Sequence, residues 1–454
     1  MKTLNKNLQQ VRDIIRVVNK SNKFYQKKFT SSGIVSEKQI TSWDKFALLP
    51  FTTRDEIEKD QAANPPFGTN LTRPESEYTY VISSSGTTTG KPFIQPMTSA
   101  EYDRYIDFVE YGDRLLGITH RDVFCHLTVS YFYPLSLAGV QRIGARMIPS
   151  ESHKPLEMLK NLQLMNVTVL QAYPTVLLEL IELAKEIKID LQKLHLRRII
   201  TCAEPGGEPG PTRDYLEKEW HAKIIDHIGS TESFIYAIEC PVTHDYHVLD
   251  KYFIFEVINP DTQEPSTMGE LVLTMLWRFD FPLIRYRTGD LVRIDCTPCR
   301  CGNKSPRLIG GFLGRVGNLT KMRAGFIYPE AIERILREFT KIVTYEIILT
   351  KRRGLDILAI YMELRPDTEY TYLDHLDKQL VDFLGFSPRL YPLFPHTLTR
   401  FGFQKAKRFH DYRSGKRPPV NVLRIMFSNL YFYTLVINKW KHKLSSLFTL
   451  LTKS

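Results

Sequence analysis

The stretch Arg198–Glu232, RIITCAEPGGEPGPTRDYLEKEWHAKIIDHIGSTE, decides the fold class. It opens on an apolar run, Arg198–Thr201, and breaks at Ala203-Glu204-Pro205-Gly206-Gly207. A helix follows from Pro211 to Trp220, and a second run, Lys223–Ile228, leads into Asp226-His227-Ile228-Gly229-Ser230-Thr231-Glu232. Strand, helix and strand in that order form the repeating unit of a parallel sheet, because parallel neighbours need a crossover and a helix supplies it. The alternation extends upstream through strands over Val123–Val129, Ala145–Ile148 and Val167–Ala172 and a helix over Thr175–Ile187. An α/β fold with mostly parallel strands is expected, and ligands of such sheets sit at the carboxyl ends of the strands.

A third polar segment also follows a strand, Glu77–Ile82. It reads Ser83-Ser84-Ser85-Gly86-Thr87-Thr88-Thr89-Gly90-Lys91-Pro92. Small hydroxyl and glycine residues bury almost nothing and compete with regular structure. They can wrap an anion: the amides of Gly86 and Gly90 are unhindered by a Cβ, the hydroxyls of Ser84, Ser85, Thr87, Thr88 and Thr89 donate, and Lys91 adds charge. The spacing is not that of the Walker loop, which needs four residues before its Gly-Lys where this chain has three.

Downstream the pattern turns β-rich over Tyr252–Ile258, Gly269–Met275 and Leu291–Ile294, and closes in Gly310-Gly311-Phe312-Leu313-Gly314-Arg315. Glycine-dense connections mark a boundary or hinge. Beyond it a helix (Pro329–Phe339), two strands (Val343–Leu349, Leu355–Met362), a helix (Tyr370–Leu384) and a strand (Arg389–Phe394) make a small α+β unit. The expected organisation is a large domain over 1–313 with a β-rich subdomain, a small mobile domain over 314–419, and an amphipathic tail over 420–454.

Composition limits the function classes. With 43% apolar and 24% charged residues the chain is an ordinary globular protein, and its net charge of +11 comes from 61 basic against 50 acidic residues, a mixed surface without a nucleic-acid signature. Six cysteines, three of them within Cys296–Cys301, do not form a disulfide framework, which points to a reducing cytoplasm. The N-terminal pattern Leu8, Val11, Ile14, Ile15, Val18 is that of an amphipathic helix rather than a secretory signal. The tail is too interrupted by polar residues to span a membrane, but it could touch a membrane surface or pack on its own domain.

Taken in order, these segments resemble the motifs of the adenylate-forming superfamily, in its phenylacetate-CoA ligase branch. The 83–92 run resembles its Ser-Gly-Thr-Thr-Gly-x-Pro loop, with one additional threonine. Asp226…Gly229-Ser230-Thr231-Glu232 is similar to Asp-x-Tyr-Gly-x-Ser/Thr-Glu, which implies that Thr231 meets the α-phosphate of ATP and Glu232 helps hold Mg²⁺; the family tyrosine is Ile228 here. Ala203-Glu204-Pro205 resembles the turn lining the adenine pocket. Tyr286-Arg287-Thr288-Gly289-Asp290 matches Tyr-Arg-Thr-Gly-Asp, implying that Asp290 takes the ribose hydroxyls, although alone its Thr-Gly reads as a type II turn. Gly314-Arg315 resembles the hinge Gly-Arg, with Gly317 where the family has an acid. Gln404-Lys405-Ala406-Lys407-Arg408-Phe409 resembles a degenerate lysine loop, which assigns the adenylation lysine to Lys405, with Lys407 as its competitor.

The resemblance implies an AMP-forming acid-thiol ligase using ATP and Mg²⁺, with coenzyme A or a carrier-protein phosphopantetheine as acceptor. Tyr131-Phe132-Tyr133 falls where the family places its acyl pocket, and aromatic walls suit an aryl acid. A non-catalytic nucleotide- or acyl-binding relative is the alternative, suggested by the extra threonine, Ile228, Gly317 and the lysine loop's missing glycine. A cysteine triplet in a Pro/Gly turn suggests a metal or a reactive thiol. Relatives with a Cys…His and a Cys-x-Cys-Gly in corresponding places hold a structural zinc, which implies Cys240, His247, Cys299 and Cys301 as ligands, with Cys296 or His244 as substitutes.

Overall fold

The computed structural model describes residues 2–34, 36–83, 93–127, 133–148, 154–317, 320–322, 325–352, 355–393, 396–398 and 408–413. The described residues divide into two compact units, one drawn from 1–173, 192–203 and 221–317, the other from 174–191, 204–220 and 318–454.

The first unit is built on a 12-stranded sheet. Crossing it in space, the strands are Arg146–Ile148, Val123–His126, Val169–Gln171, Arg198–Cys202 and Lys223–Ser230, all parallel. The sheet continues antiparallel through Phe234–Glu239, Tyr246–Val248, Arg307–Leu308, Tyr286–Asp295, Met268–Met275 and Phe253–Ile258, and Gly314–Arg315 pairs with Tyr286–Asp295. The change of sense at Lys223–Ser230 has a local cause. The turn after Ser230 doubles the chain straight back as Phe234–Glu239 instead of sending it through a helix. A Cβ on Gly229 would lie 2.5 Å from the Phe234 carbonyl oxygen, so this bulged turn requires glycine.

One face of the sheet is covered by helix Ser99–Leu115, whose Tyr105, Phe108 and Val109 join Phe124, Val169, Ile200, Ile225, Phe234 and Trp277 in the main core. The N-terminal helices Lys2–Ser21 and Lys23–Ser31 form a second core: Val11, Ile14, Ile15 and Val18 pack with Tyr25, Phe29, Ile254, Leu276 and Ile284, as the amphipathic pattern predicts.

In the second unit a four-stranded sheet runs Arg389–Leu393, Leu355–Leu364, Ile342–Arg352, Phe409–Asp411. Helices Pro329–Arg337 and Tyr370–Leu384 cover it through Ile332, Leu336, Leu376 and Leu380. Helices Pro174–Glu186 and Pro211–Trp220 cluster with this unit. Among the described residues no helix is long and apolar enough to cross a membrane.

Candidate functional site

Asp290 sits in the strand Tyr286–Asp295, which runs straight through the motif that alone would be a turn. The turn chemistry is present, but as a bulge: Gly289 has φ +76°, Thr288 Oγ1 donates to the Leu271 carbonyl at 2.8 Å, and the Asp290 amide donates back to Thr288 Oγ1 at 3.0 Å. Arg287 is fastened to Glu270 by its Nε at 2.8 Å. The bulge directs Asp290 into the interior, where it is 2% exposed.

Its carboxylate accepts from Tyr236 Oη at 3.0 Å and from Arg315 Nε at 3.0 Å. Arg315 is held opposite by antiparallel register, and the Val316 amide donates to the Gly289 carbonyl at 2.7 Å. Burial pushes the Asp290 carboxyl above its ordinary range, and the neighbouring Arg315 charge pulls it back. Arg315 is in turn pushed up, first by Asp290 and further by Glu232. Buried Tyr236 and Tyr286 are both held well above the usual phenol range, chiefly by desolvation, and stay protonated.

Glu232 lies in the turn between Lys223–Ser230 and Phe234–Glu239, not at a helix start, and is 6% exposed. It is ion-paired with Arg54, the first residue of helix Arg54–Ala63. Thr53 and Glu56 cap that helix reciprocally, so Arg54 stands at a fixed point and also bridges Glu58 at 2.6 Å. The preceding turn is tied down in three places. The Thr231 carbonyl accepts from Gln95, Ser230 and Ser233 share a hydroxyl contact of 2.8 Å, and Asp226 accepts from Thr201 and Tyr246, each at 2.7 Å. Two carboxylates, Glu232 and Asp290, thus stand in one electrostatic group with Arg54 and Arg315 around Tyr286. That arrangement can grip a polyanion and its cation.

Of the other expected residues, Ala203 closes the strand Arg198–Cys202 with φ +66°, and Glu204 and Pro205 fall in the second unit, where Glu204 accepts from the Thr175 amide at 3.4 Å. Tyr133 begins the helix Tyr133–Ile143. Ser84 to Lys91, Tyr131, Phe132, Lys405, Lys407 and the tail lie outside the described residues. Arg54, Tyr236 and Gln95 were not read as site residues from sequence. The Thr53-x-x-Glu56 capping box marks Arg54 as a helix start, but nothing local ties it to Glu232.

A second constellation stands on the antiparallel side of the sheet. Cys240, His247, Cys299 and Cys301 present ligand atoms all within 4.8 Å of one another. Cys240 and Cys299 have their sulfurs 3.8 Å apart, close to the ~3.8 Å edge of a tetrahedron with 2.3 Å Zn–S bonds. His247 Nε2 lies 3.2 Å from Cys301 Sγ, while its Nδ1 faces the Ser305 carbonyl at 3.2 Å, the partner that fixes the ring of a ligating histidine. Backbone amides of Val242 and Asn303 point at the Cys240 and Cys301 sulfurs, each at 3.4 Å. Cys299 is lowered to about 6, first by the backbone N–H of Cys301. The donor set therefore fits a zinc ion. His244 is committed to Glu239 at 2.6 Å, and Cys296 is exposed and outside the group.

The chain is similar to known proteins over most of its length. The AMP-binding enzyme C-terminal domain family matches residues 325–413. The phenylacetate-coenzyme A ligase of Pseudomonas putida is 27% identical over 412 residues, covering 86% of this chain and 89% of that protein. The Escherichia coli (strain K12) phenylacetate-coenzyme A ligase is 27% identical over 359 residues, covering 75% and 78%. Among solved structures, a 2-hydroxyisobutyryl-CoA ligase superposes with a TM-score of 0.82 at 22% identity over 90% of each chain. A benzoate CoA ligase from Burkholderia xenovorans superposes with 0.55 at 16% identity, over 74% of this chain and 68% of that one.

Proposed function

Because the chain belongs to the adenylate-forming superfamily, in its phenylacetate-CoA ligase-like branch, we propose that it activates a small carboxylic acid with ATP to an acyl-adenylate and passes the acyl group to the thiol of coenzyme A. The observation that carries this reading is the buried Asp290 carboxylate, held by Arg315 and Tyr236 in the same charged group as Glu232.

A buried carboxylate with fixed donors on one side keeps acceptor capacity for two vicinal hydroxyls on the other, which is what ribose offers. Arg315 stays charged beside it and can neutralise a phosphate oxygen. Thr231 and Glu232 follow the strand Lys223–Ser230, where Thr231 donates to the α-phosphate. Mg²⁺, a hard cation suited to carboxylate and phosphate oxygens, would be held by Glu232 and would offset charge on the leaving pyrophosphate. The substrate carboxylate oxygen attacks the α-phosphorus in line as the bond to the bridging oxygen of pyrophosphate breaks. Lys405, in the small C-terminal domain, brings an ammonium to the charge that develops there. No protein nucleophile is needed.

In the same reading Ser84, Ser85, Gly86, Thr87, Thr88, Thr89, Gly90 and Lys91 wrap the β- and γ-phosphates. Ala203, Glu204 and Pro205 border adenine, and Tyr131, Phe132 and Tyr133 wall an aryl acid. Asp226 accepts from Thr201 and Tyr246, keeps acceptor capacity beyond those two bonds, and adds to the nucleotide-binding group in this reading. Cys240, His247, Cys299 and Cys301 hold a zinc ion that staples two loops and stays outside the chemistry.

Carboxylate-dependent exchange of labelled pyrophosphate into ATP tests the proposal. Exchange with at least one acid of a broad panel, followed by thioester formation on adding coenzyme A, is the expected result. ATP binding without exchange for any acid would sink it.

A further inference from the structure

Apart from Glu232, the carboxyl ends of the parallel strands carry a row of polar side chains. His126 ends its strand, Gln171 the next and Cys202 the third, and His227 lies beside them in the strand that leads to Glu232. Parallel register pairs His126 with Gln171, Gln171 with Ile200, and Cys202 with His227, so the four project from one face of the sheet, the face that carries Phe124, Val169 and Ile225 into the main core. An apolar row would be ordinary at this depth: His126 is 2% exposed and His227 7%.

Among the described residues, only one ring nitrogen of His227 has a hydrogen-bond partner. Its Nε2 lies 3.4 Å from the amide nitrogen of Gln171. An amide nitrogen can only donate, so the ring Nε2 accepts and the proton of the neutral imidazole sits on Nδ1. The ring is neutral because burial, reinforced by His126, lowers it to about 4. His227 Nδ1 makes no hydrogen bond among the described residues. Buried donors are paired in nearly all folded proteins, and this one, at the carboxyl end of a parallel sheet where ligands of such folds sit, has no partner among the described residues.

We propose that His227 Nδ1 donates to a hydroxyl on the acyl part of the acid, so that the preferred substrates are hydroxy-substituted carboxylic acids rather than their plain aryl or alkyl parents. The inference rests on the acid-activation reading above and narrows its substrate class. Gln171 sets the tautomer and is a positioning residue. An acid without the oxygen leaves the donor desolvated and unpaired, the situation in which a site discriminates most strongly.

The test is pyrophosphate exchange with matched pairs: phenylacetate against its α-hydroxy and its 2-, 3- and 4-hydroxyphenyl forms, and isobutyrate against 2-hydroxyisobutyrate. In the wild type, kcat/KM for one hydroxy acid exceeds that of its parent by about 10²-fold or more. His227→Asn, whose side-chain amide can stand where Nδ1 stood, retains most of that ratio. His227→Gln, with the same polar group one bond further out, loses it, and so does His227→Leu if circular dichroism shows it folded. Preference for the parent acid in every pair overturns the inference and leaves the ligase reading intact. So does an equal loss on both members of a pair in His227→Gln, which would mean that the residue serves the shared carboxylate or the fold. Absence of exchange with every acid overturns both.

Discussion

Arg315 Nε stands 3.0 Å from Asp290 Oδ1 across one antiparallel bridge, so the residue expected at the hinge already neutralises the residue expected at the ribose. The pair is asymmetric, because Asp290 is almost fully enclosed while the Arg315 side chain is 37% exposed. A ligand meeting the pair from the open side therefore finds a cation that can turn toward phosphate and an acceptor that cannot move.

Asp290→Asn removes the charge but keeps an oxygen for Tyr236 or Arg315. Charge-assisted bonds to two sugar hydroxyls are worth ~1.5–3 kcal/mol each, so losing the charge should raise the KM for ATP by about 10²-fold. Pyrophosphate exchange measured against ATP concentration checks this. An unchanged KM with lowered kcat would place Asp290 elsewhere in the mechanism.

Glu232 and Arg54 make the second such relationship. Arg54→Met strands a buried carboxylate, which should cost on the order of 3 kcal/mol in denaturant unfolding. Glu232→Gln should be milder on stability and raise the Mg²⁺ needed for half-maximal exchange about tenfold, as a charged ligand is replaced by a neutral one. The double variant should recover much of the stability lost in Arg54→Met. Simple addition of the two losses would show that the residues do not act as a pair.

What could be read in the sequence, and what could not, divides by range. The helices Pro211–Trp220 and Tyr370–Leu384 were legible to the residue, because Pro211 starts one and Gly385, with φ +75°, stops the other. Strand Phe409–Asp411 was not, since three residues beside the lysine loop become a strand only by pairing in parallel with Ile342–Arg352. Likewise Tyr286-Arg287-Thr288-Gly289-Asp290 has the chemistry of a turn, and only Met268–Met275 alongside makes it a bulged strand. The acids of the site were visible because each sits in a short local motif. Their partners Arg54 and Tyr236 were not, because Arg54 lies 178 residues from Glu232 and belongs to no motif with it.

The cysteine cluster predicts a metal content. Purified protein should carry about one zinc per chain, and a strong chelator should lower the unfolding temperature before it lowers exchange at 25 °C, since a structural site adds folding energy outright. Cys301→Ser and His247→Ala should lose the metal, whereas Cys296→Ser should keep it. Full metal occupancy in Cys301→Ser would dismiss the four-ligand site.

The exit of the lysine loop is firmly held. Arg408 is 3% exposed and donates to Thr344 Oγ1, the Tyr345 carbonyl and Thr175 Oγ1, each at 2.8 Å, and its carbonyl accepts from the Ile347 amide at 2.7 Å. With this anchor three residues away, Lys405→Ala should slow adenylation about 10²- to 10³-fold, the range seen when one preorganised charge-stabilising donor is removed. Transfer of a supplied acyl-adenylate to coenzyme A should change far less. If Lys407→Ala produces that split instead, the adenylation lysine is Lys407.

Glu101 gives the first unit a pH dependence. It is wholly enclosed; Oε1 accepts from the Asp280 and Phe281 amides at 3.1 and 3.4 Å, and Oε2 makes no hydrogen bond among the described residues. Burial raises its carboxyl to about 7, Arg278 opposes this, and Asp280 adds to it. A carboxyl whose folded pKa lies above its unfolded value of about 4.3 favours the folded state while it is protonated; this contribution is complete below that value and is lost as the pH rises through 7. Relative to Glu101→Gln, which keeps the acceptor oxygen and cannot ionise, the wild type should therefore lose on the order of 3 kcal/mol between pH 5 and pH 8. Denaturant unfolding of both proteins across that range measures the difference, and parallel curves would mean that Glu101 is ionised throughout, held in that state by Arg278.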